Sequence, residues 1–448
     1  MNALTQYLEL YASNREIIDA HSAGALNRAR SGAAAMLASA RLPQKGDEGF
    51  EKTSVEDMFA PDYGVNINRV NIPCDTAAAF RCAVPNVSTL LGVIVNDKFV
   101  ATPSLVKNLP EGVTVMSLAE AAVSHSAIVD RYYGKAASST DAGTALNTLL
   151  VQDGVFIHVA AGVKLSRPVQ IVNLFSAPVP VMAARRVLIV AEEGSEINIL
   201  TCDHTMTADH ECMSSQVIEI FAGAGARVDY YDIEESSAAT SRYSQLYAVQ
   251  ESGSSLLVNG MTLVNGMTRN EYSVRMTGER CETMLAGMAI GSGRQHIDNC
   301  SSVLHSTEHC HSDQLFKYVL DDDAVGAFEG GIEVAPGARF TEAYQSNRNV
   351  LASAGARMHT KPQLLIYNDD VKCSHGATTG QLDRRALFYM QTRGIPEAEA
   401  RMMLMQAFMV DVIDTVRVES LRDRLRHLVE KRFAGDRLLC GDCTAVCR

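Results

Sequence analysis

Apolar positions change their spacing twice along this chain. Near the start, Leu4, Tyr7, Leu8 and Tyr11 recur at helical intervals. An alanine-rich stretch over about 25–40 predicts a second helix that stops near Leu42-Pro43, because proline cannot continue a helix. Ser117-Leu118-Ala119-Glu120 has the form of a capping box and predicts another helix start. Residues 1–150 therefore read as a helical unit with loops. Beyond the turn Asp153-Gly154 the rhythm becomes one of short strands. Val155-Phe156-Ile157-His158-Val159, Val169-Gln170-Ile171-Val172, Val187-Leu188-Ile189-Val190 and Leu256-Leu257-Val258 are separated by turn-forming residues.

A sandwich or a barrel would give the same rhythm. Two features favour a parallel β-helix over 151–380. The strands are short and numerous, and small-residue turns such as Ala191-Glu192-Glu193-Gly194-Ser195 and Ala222-Gly223-Ala224-Gly225-Ala226 recur like solenoid corners. No strict period is visible. After about 380 helical spacing returns. A helix is expected over 383–393, closed by Gly394, with Pro396 in the first turn of the next. There Ala400, Met403, Leu404, Ala407 and Phe408 form an apolar stripe. Ser420 is placed to cap a last helix carrying Leu421, Leu425 and Leu428. The expected organisation is mainly β: a helical domain over 1–150, the β-helix over 151–380, a second helical domain over 381–434 and a cysteine-containing tail over 435–448. The C-terminal stripes need a surface to cover, which either the solenoid or a partner would supply.

Bulk properties narrow the function classes. At 448 residues and 47% hydrophobic, the chain can build a sizeable core. No run approaches the roughly 18 apolar residues of a membrane span. The first residues lack a basic start followed by an apolar block, so no secretory leader is expected. A formal charge of −12 argues against a nucleic-acid binder. Eleven cysteines in such a chain point to reduced thiols in the cytoplasm rather than a disulfide framework. No Gly-x4-Gly-Lys-[Ser/Thr] occurs; Gly134-Lys135 is followed by Ala136, so no nucleotide site of the P-loop kind is expected.

Three groups of residues carry candidate chemistry. In Asp369-Asp370-Val371-Lys372-Cys373-Ser374-His375-Gly376-Ala377-Thr378 a thiol and an imidazole lie two residues apart. On an extended segment Cys373 and His375 share one face, and Gly376 is expected to turn the backbone away from them. Such a pair suits a transition metal or part of an iron–sulfur cluster, and Lys372 beside it would favour the thiolate. Cysteine in an apolar strand is more often a small buried hydrophobe, so the spacing alone leaves both readings open. The second group is His296, His305, His309, Cys310 and His311. On a strand His309 and His311 could hold zinc together, with Glu308 as base, although a role as ordinary strand residues is the plainer reading. The third is Cys440, Cys443 and Cys447, spaced for an accessory metal or cluster site or simply part of a flexible tail. Asp321-Asp322-Asp323 offers the acids of a polysaccharide-active enzyme, but reads as a turn, and aromatic residues for sugar stacking are few.

The longer string Lys361-Pro362-Gln363-Leu364, then Asp369 to Thr378, then Gly380-Gln381-Leu382-Asp383, Leu387-Phe388-Tyr389 and Arg393-Gly394-Ile395, resembles the signature of the SufB/SufD family, its SufD branch in particular. Gln295-His296-Ile297-Asp298 and Ser312-Asp313-Gln314-Leu315-Phe316-Lys317 resemble its β-helix body. The loop over 43–53 resembles its N-terminal segment, with Phe50 where Trp is common; Leu365 stands where relatives often have Glu. The resemblance implies a right-handed parallel β-helix flanked by N-terminal and C-terminal helical domains. It implies a non-catalytic scaffold of Suf iron–sulfur cluster assembly that pairs edge to edge with a SufB-like paralogue. It implies that the C-terminal helices dock a SufC-like ABC ATPase, whose dimerisation strains the paired edges. His375 is then the best candidate ligand of a nascent cluster or iron, and Cys373 a second contributor. An exposed strand edge would also favour a homodimer of the isolated chain. The rival readings are a β-helix enzyme acting on polysaccharide and an independent zinc enzyme built on the His305–His311 group.

Overall fold

A computed structural model describes residues 2–72, 74, 89–138, 140–206 and 210–435. Its centre is a flattened parallel solenoid of two ten-stranded sheets. From Val155 onward successive strands alternate between the sheets, so each hydrogen-bonds to the strand two places away in sequence. One sheet runs from Val113–Ser117 to Arg357–Ile366, the other from Lys98–Ala101 to Val371–Gly380. Along the second sheet Arg227 aligns with Ser255, then with Glu282, His311, Glu342 and Lys372, which are steps of 28, 27, 29, 31 and 30 residues. That variation is why no strict period is visible in the sequence: corner lengths change while the strand register holds.

One corner explains a sequence feature directly. Gly194, Gly225, Gly253, Arg280, His309 and Phe340 stack with φ between 55° and 69°. Each donates its N–H to the next rung, from Gly194 N to Ala224 O through Phe340 N to Asp370 O. Glycine adopts this left-handed conformation freely, which accounts for the first three positions. The residues that follow, Ser195, Ala226, Ser254, Cys281, Cys310 and Thr341, are all small and buried.

The solenoid interior is filled by alternate residues of both sheets, among them Val228, Tyr230, Val258, Leu285, Ile297, Phe316 and Phe328. The outer faces are covered as well. N-terminal helices Ala3–Ala20 and Ala142–Leu150 lay Leu4, Tyr7, Leu146 and Leu149 against Met182, Ala184, Met213 and Tyr243 of the first sheet. C-terminal helices Glu397–Asp414 and Glu419–Phe433 lay Met409, Val412, Leu421, Leu425 and Leu428 against Tyr231, Leu257, Met261 and Met288 of the second. Strands covered on both sides lose polar alternation; every residue of Val181–Ala191 is buried.

Several local expectations are met. Ser117 Oγ accepts from Glu120 N at 3.2 Å, and Asp383 Oδ1 from Arg385 N at 2.8 Å, each opening a helix. Others need correction. The second helix ends earlier, at Leu37. The region before residue 150 also holds strands Leu90–Val95, Lys98–Ala101 and Val113–Ser117, because the solenoid's first edges need cover. The last helix begins at Glu419 with Val418 as an N-cap lacking a side-chain bond, so Ser420 lies inside it. In Glu397–Asp414 the buried face is Ala400, Met405, Met409, Val412 and Ile413, while Met403 is exposed; the stripe is rotated by the way the helix meets the sheet.

Candidate functional site

The two ends of the solenoid differ. At the N-terminal end both sheets finish in short antiparallel additions: Val113–Ser117 pairs with Val155–Val159, and Lys98–Ala101 folds back on Leu90–Val95. At the other end Arg357–Ile366 and Val371–Gly380 are the outermost strands, and among the described residues nothing pairs with their free edges. Neither has a fully buried residue. Two open ten-residue edges are a template for another chain's strands.

Cys373 and His375 stand on that last rung. Cys373 aligns with Ala343 and His375 with Gln345, and both Ala343 and Gln345 point into the solenoid. The pair therefore shares the inward face of the final strand. Cys373 is half-buried with Val371 and Leu364 against Ile332, Val334 and Ala338. His375 is exposed. The strand continues through Gly376 to Gly380, so Gly376 does not turn the backbone; the pair sits at an edge because the solenoid ends there. Lys372 does not activate the thiol either. It points to the outer face, where Nζ meets Glu342 Oε1 at 2.7 Å, and burial pushes the Cys373 thiol up.

Polar groups crowd the interior beneath this rung. Ser301 Oγ and Gln345 Nε2 both donate to Gln314 Oε1, at 2.6 and 3.0 Å. Gln345 Oε1, on the residue in register with His375, is buried without a donor, as are Asn349 Oδ1 and Thr360 Oγ1. Beside the edge, Leu365, Ile366 and Tyr367 are exposed, as are Phe388 and Tyr389 on helix Arg384–Thr392, which buries none of its residues.

Residues 174–408 match the family described as SUF system FeS cluster assembly, SufBD core domain, and residues 1–171 match the SufBD protein N-terminal region. The chain belongs to the SufBD family. It is 29% identical to a SufBD family iron–sulfur cluster assembly protein of Synechocystis over 411 residues, 90% of each chain. It is 27% identical to the iron–sulfur cluster assembly protein SufD of Bacillus subtilis, over 75% of this chain and 78% of that one. To SufD of Escherichia coli it is 34% identical over 40% of this chain and 42% of that protein. Family and fold agree: the core-domain match spans most of the solenoid.

The histidine group does not assemble within this SufBD chain. His296 Nε2 bonds Thr53 Oγ1 at 2.8 Å, His305 Nε2 bonds Ser312 Oγ at 2.8 Å, and His311 Nε2 bonds Asp313 Oδ2 at 2.8 Å. His309 occupies the left-handed corner rather than a strand and stacks on Phe340 at 4.7 Å, so it and His311 do not co-ligate. Among the described residues no three His, Cys, Asp or Glu side chains converge to hold a metal ion. Asp321-Asp322-Asp323 is a corner, with Asp322 Oδ2 accepting from Gly293 N. Cys440, Cys443 and Cys447 lie outside the described residues. Among the described residues no helix is long and apolar enough to cross a membrane.

What sequence reading missed is a buried ion cluster inside the solenoid. Arg242 reaches Asp203 at 3.2 Å and Glu234 at 3.7 Å and also pairs with Asp232, while Arg185 reaches Asp203 at 3.3 Å. The available signal was charge at inward strand positions, scattered over separate rungs and so invisible as a motif.

Proposed function

We propose that this chain is the SufD-type, non-catalytic scaffold subunit of a cytoplasmic Suf assembly complex. Its open end pairs with the matching edge of a SufB-like paralogue. Its C-terminal helices dock a SufC-like ABC ATPase, with exposed Phe388 and Tyr389 contributing to the contact. The nascent iron–sulfur cluster is the cargo, built where the two edges meet. His375 supplies an imidazole to its iron and Cys373 a thiol, with further ligands from the paralogue. Cys440, Cys443 and Cys447 are an accessory metal site at most.

The observation that carries this reading is the end rung: one solenoid end finishes in short antiparallel strands, the other in two ten-residue parallel strands with free edges, and the Cys-x-His pair lies on the inward face of the last of them. A stiff solenoid suits the task. Strain applied through helices packed along one sheet is delivered to the whole end rung rather than to one loop.

The test is co-purification of the chain with a SufB-type paralogue and a SufC-type ATPase, comparing wild type, His375→Ala and Cys373→Ser for complex formation and cluster yield. The expected result is an intact complex with cluster yield sharply reduced in His375→Ala. Unchanged yield removes His375 from the site, and failure of the wild type to bind the paralogue removes the scaffold reading. A disulfide engineered across the paired edges should abolish assembly while sparing ATP hydrolysis.

A further inference from the structure

Away from the open end, two thiols far apart in sequence meet at one corner of the solenoid. Cys281 and Cys310 each follow a left-handed corner residue, Arg280 and His309. They occupy equivalent places on adjacent rungs, since Glu282 aligns with His311 and His311 N donates to Cys281 O at 2.8 Å. Neighbouring parallel strands hold aligned Cα atoms about 4.8 Å apart, inside the range a disulfide spans. Both thiols approach one carbonyl, Gly278 O, at 3.0 Å from Cys281 Sγ and 3.3 Å from Cys310 Sγ, and Cys281 Sγ also lies 3.1 Å from Glu251 O.

The surroundings distinguish the two. Thr307 Oγ1 lies 3.6 Å from Cys310 Sγ and also donates to Gly278 O at 2.7 Å. His305 is fully buried; its Nε2 is engaged by Ser312, and its Nδ1 has no hydrogen-bond partner. Contacts from Cys281, then His305 and Thr307, hold the Cys310 thiol well below the ordinary range, while its partner Cys281 is pushed up. Of the two, Cys310 is the thiol that gives up its proton the more readily. The cover over both is one corner turn, in which Glu279 and Arg280 are exposed.

We infer that Cys281 and Cys310 form a peroxide-reactive dithiol that closes to a disulfide linking adjacent rungs. The Cys310 thiol releases its proton, the thiolate attacks one oxygen of hydrogen peroxide, the O–O bond breaks, and the leaving hydroxide takes up that proton as water, with a sulfenic acid formed on Cys310. The Cys281 sulfur then attacks that sulfenic sulfur, the S–O bond breaks, a second water leaves and the S–S bond forms. Two thiols lose two electrons and two protons, and one peroxide becomes two waters. Closure removes the thiol donors, but Gly278 O keeps Thr307 Oγ1 and Glu251 O keeps Ser254 Oγ, so neither carbonyl is orphaned. A small-residue column needs only compact side chains, and Ser254 on the preceding rung shows that serine fits.

The experiment treats the full-length reduced protein with hydrogen peroxide, blocks free thiols, and digests without reductant. Arg280, Arg294 and Lys317 put the two cysteines on separate tryptic peptides, so the link is read as one joined mass and located by fragmentation. The expected product is a Cys281–Cys310 peptide pair, removed by dithiothreitol and absent from Cys281→Ser and Cys310→Ser. In Cys281→Ser a sulfenic-acid trap such as dimedone should label Cys310, and in Cys310→Ser labelling of Cys281 should be lost. His305→Gln should slow closure at least several-fold without changing the pair formed. The inference is overturned if wild type yields no such pair while half-buried Cys373 oxidises, or if Cys281 and not Cys310 takes the trap.

Discussion

Lys317 anchors the C-terminal helices to the solenoid, and the two halves of its ion pair should respond very differently to removal. Its ammonium is buried in the second sheet, with a side chain 3% exposed, whereas Asp411 is 56% exposed. Nζ meets Asp411 Oδ2 at 2.5 Å, donates to Phe408 O at 2.8 Å and lies 4.7 Å from the Phe408 ring centre. Lys317→Met keeps the buried volume, and the carboxylate it abandons is already in water. The loss is then the bond to Phe408 O, the ring contact and an ion pair whose carboxylate is already solvated, together about 1 kcal/mol once the ammonium's burial is relieved. Asp411→Ala strands the buried ammonium with a carbonyl and a ring, at a cost of about 2–4 kcal/mol. Removing the exposed partner should therefore hurt more than removing the buried one. Hydrogen exchange of the amides in Glu397–Asp414 under native conditions reads this directly, with opening in Asp411→Ala enhanced by roughly 30- to 900-fold. The double variant should return close to Lys317→Met alone, because the stranded charge is gone. If Lys317→Met destabilises as much as Asp411→Ala, or if the two effects simply add, the reasoning from unequal burial is refuted.

Three further outcomes follow from the same geometry. His375→Ala should leave urea stability within about 0.5 kcal/mol of wild type, since the ring is exposed; a larger loss in a denaturation curve would make it a structural residue. Asp298→Ala should release the loop over 43–53, because Asp298 pairs with buried Arg269 at 2.6 Å and accepts from Thr53 Oγ1, while the Phe50 ring lies 3.9 Å from the same guanidinium. A cost of about 3 kcal/mol and faster tryptic cleavage after Lys45 and Lys52 are expected, and unchanged cleavage would contradict it. Glu234 is buried, which raises its carboxyl from 4.5 to about 7. The folded chain thus holds a proton there that the unfolded chain has released, so this group's contribution to stability falls as pH rises from about 4.5 to 7, by at most about 3 kcal/mol. Glu234→Gln should flatten that part of the stability profile, and an unaltered slope would count against the assignment.

Much of the architecture was legible because it rests on local backbone rules. Ser117 and Asp383 announce helix starts through the short side chains that cap them. Gly194, Gly225 and Gly253 announce corners through their positive φ. The same rule hides the next three corners, where Arg280, His309 and Phe340 take that conformation without being glycine. In the linear pattern His309 therefore looks like a strand residue on the same face as His311. The stripe on Glu397–Asp414 was legible as helical but not in its rotation, since periodicity does not say which way a helix rolls onto a sheet.

From residue 151 onward the sequence by itself determined the kinds of element and their order, because strand alternation, helical spacing and turn chemistry are properties of a few neighbouring residues. It also placed Cys373 and His375 on one face of a strand, which two-residue repetition guarantees. Only the tertiary structure decided that this strand is the last, unpaired rung. It alone brought Cys281 beside Cys310 and gathered Asp203, Asp232, Glu234 and Arg242 inside the solenoid. The reason is physical: contacts between rungs depend on register across steps of 27 to 31 residues, and corners of unequal length erase that register from the linear pattern.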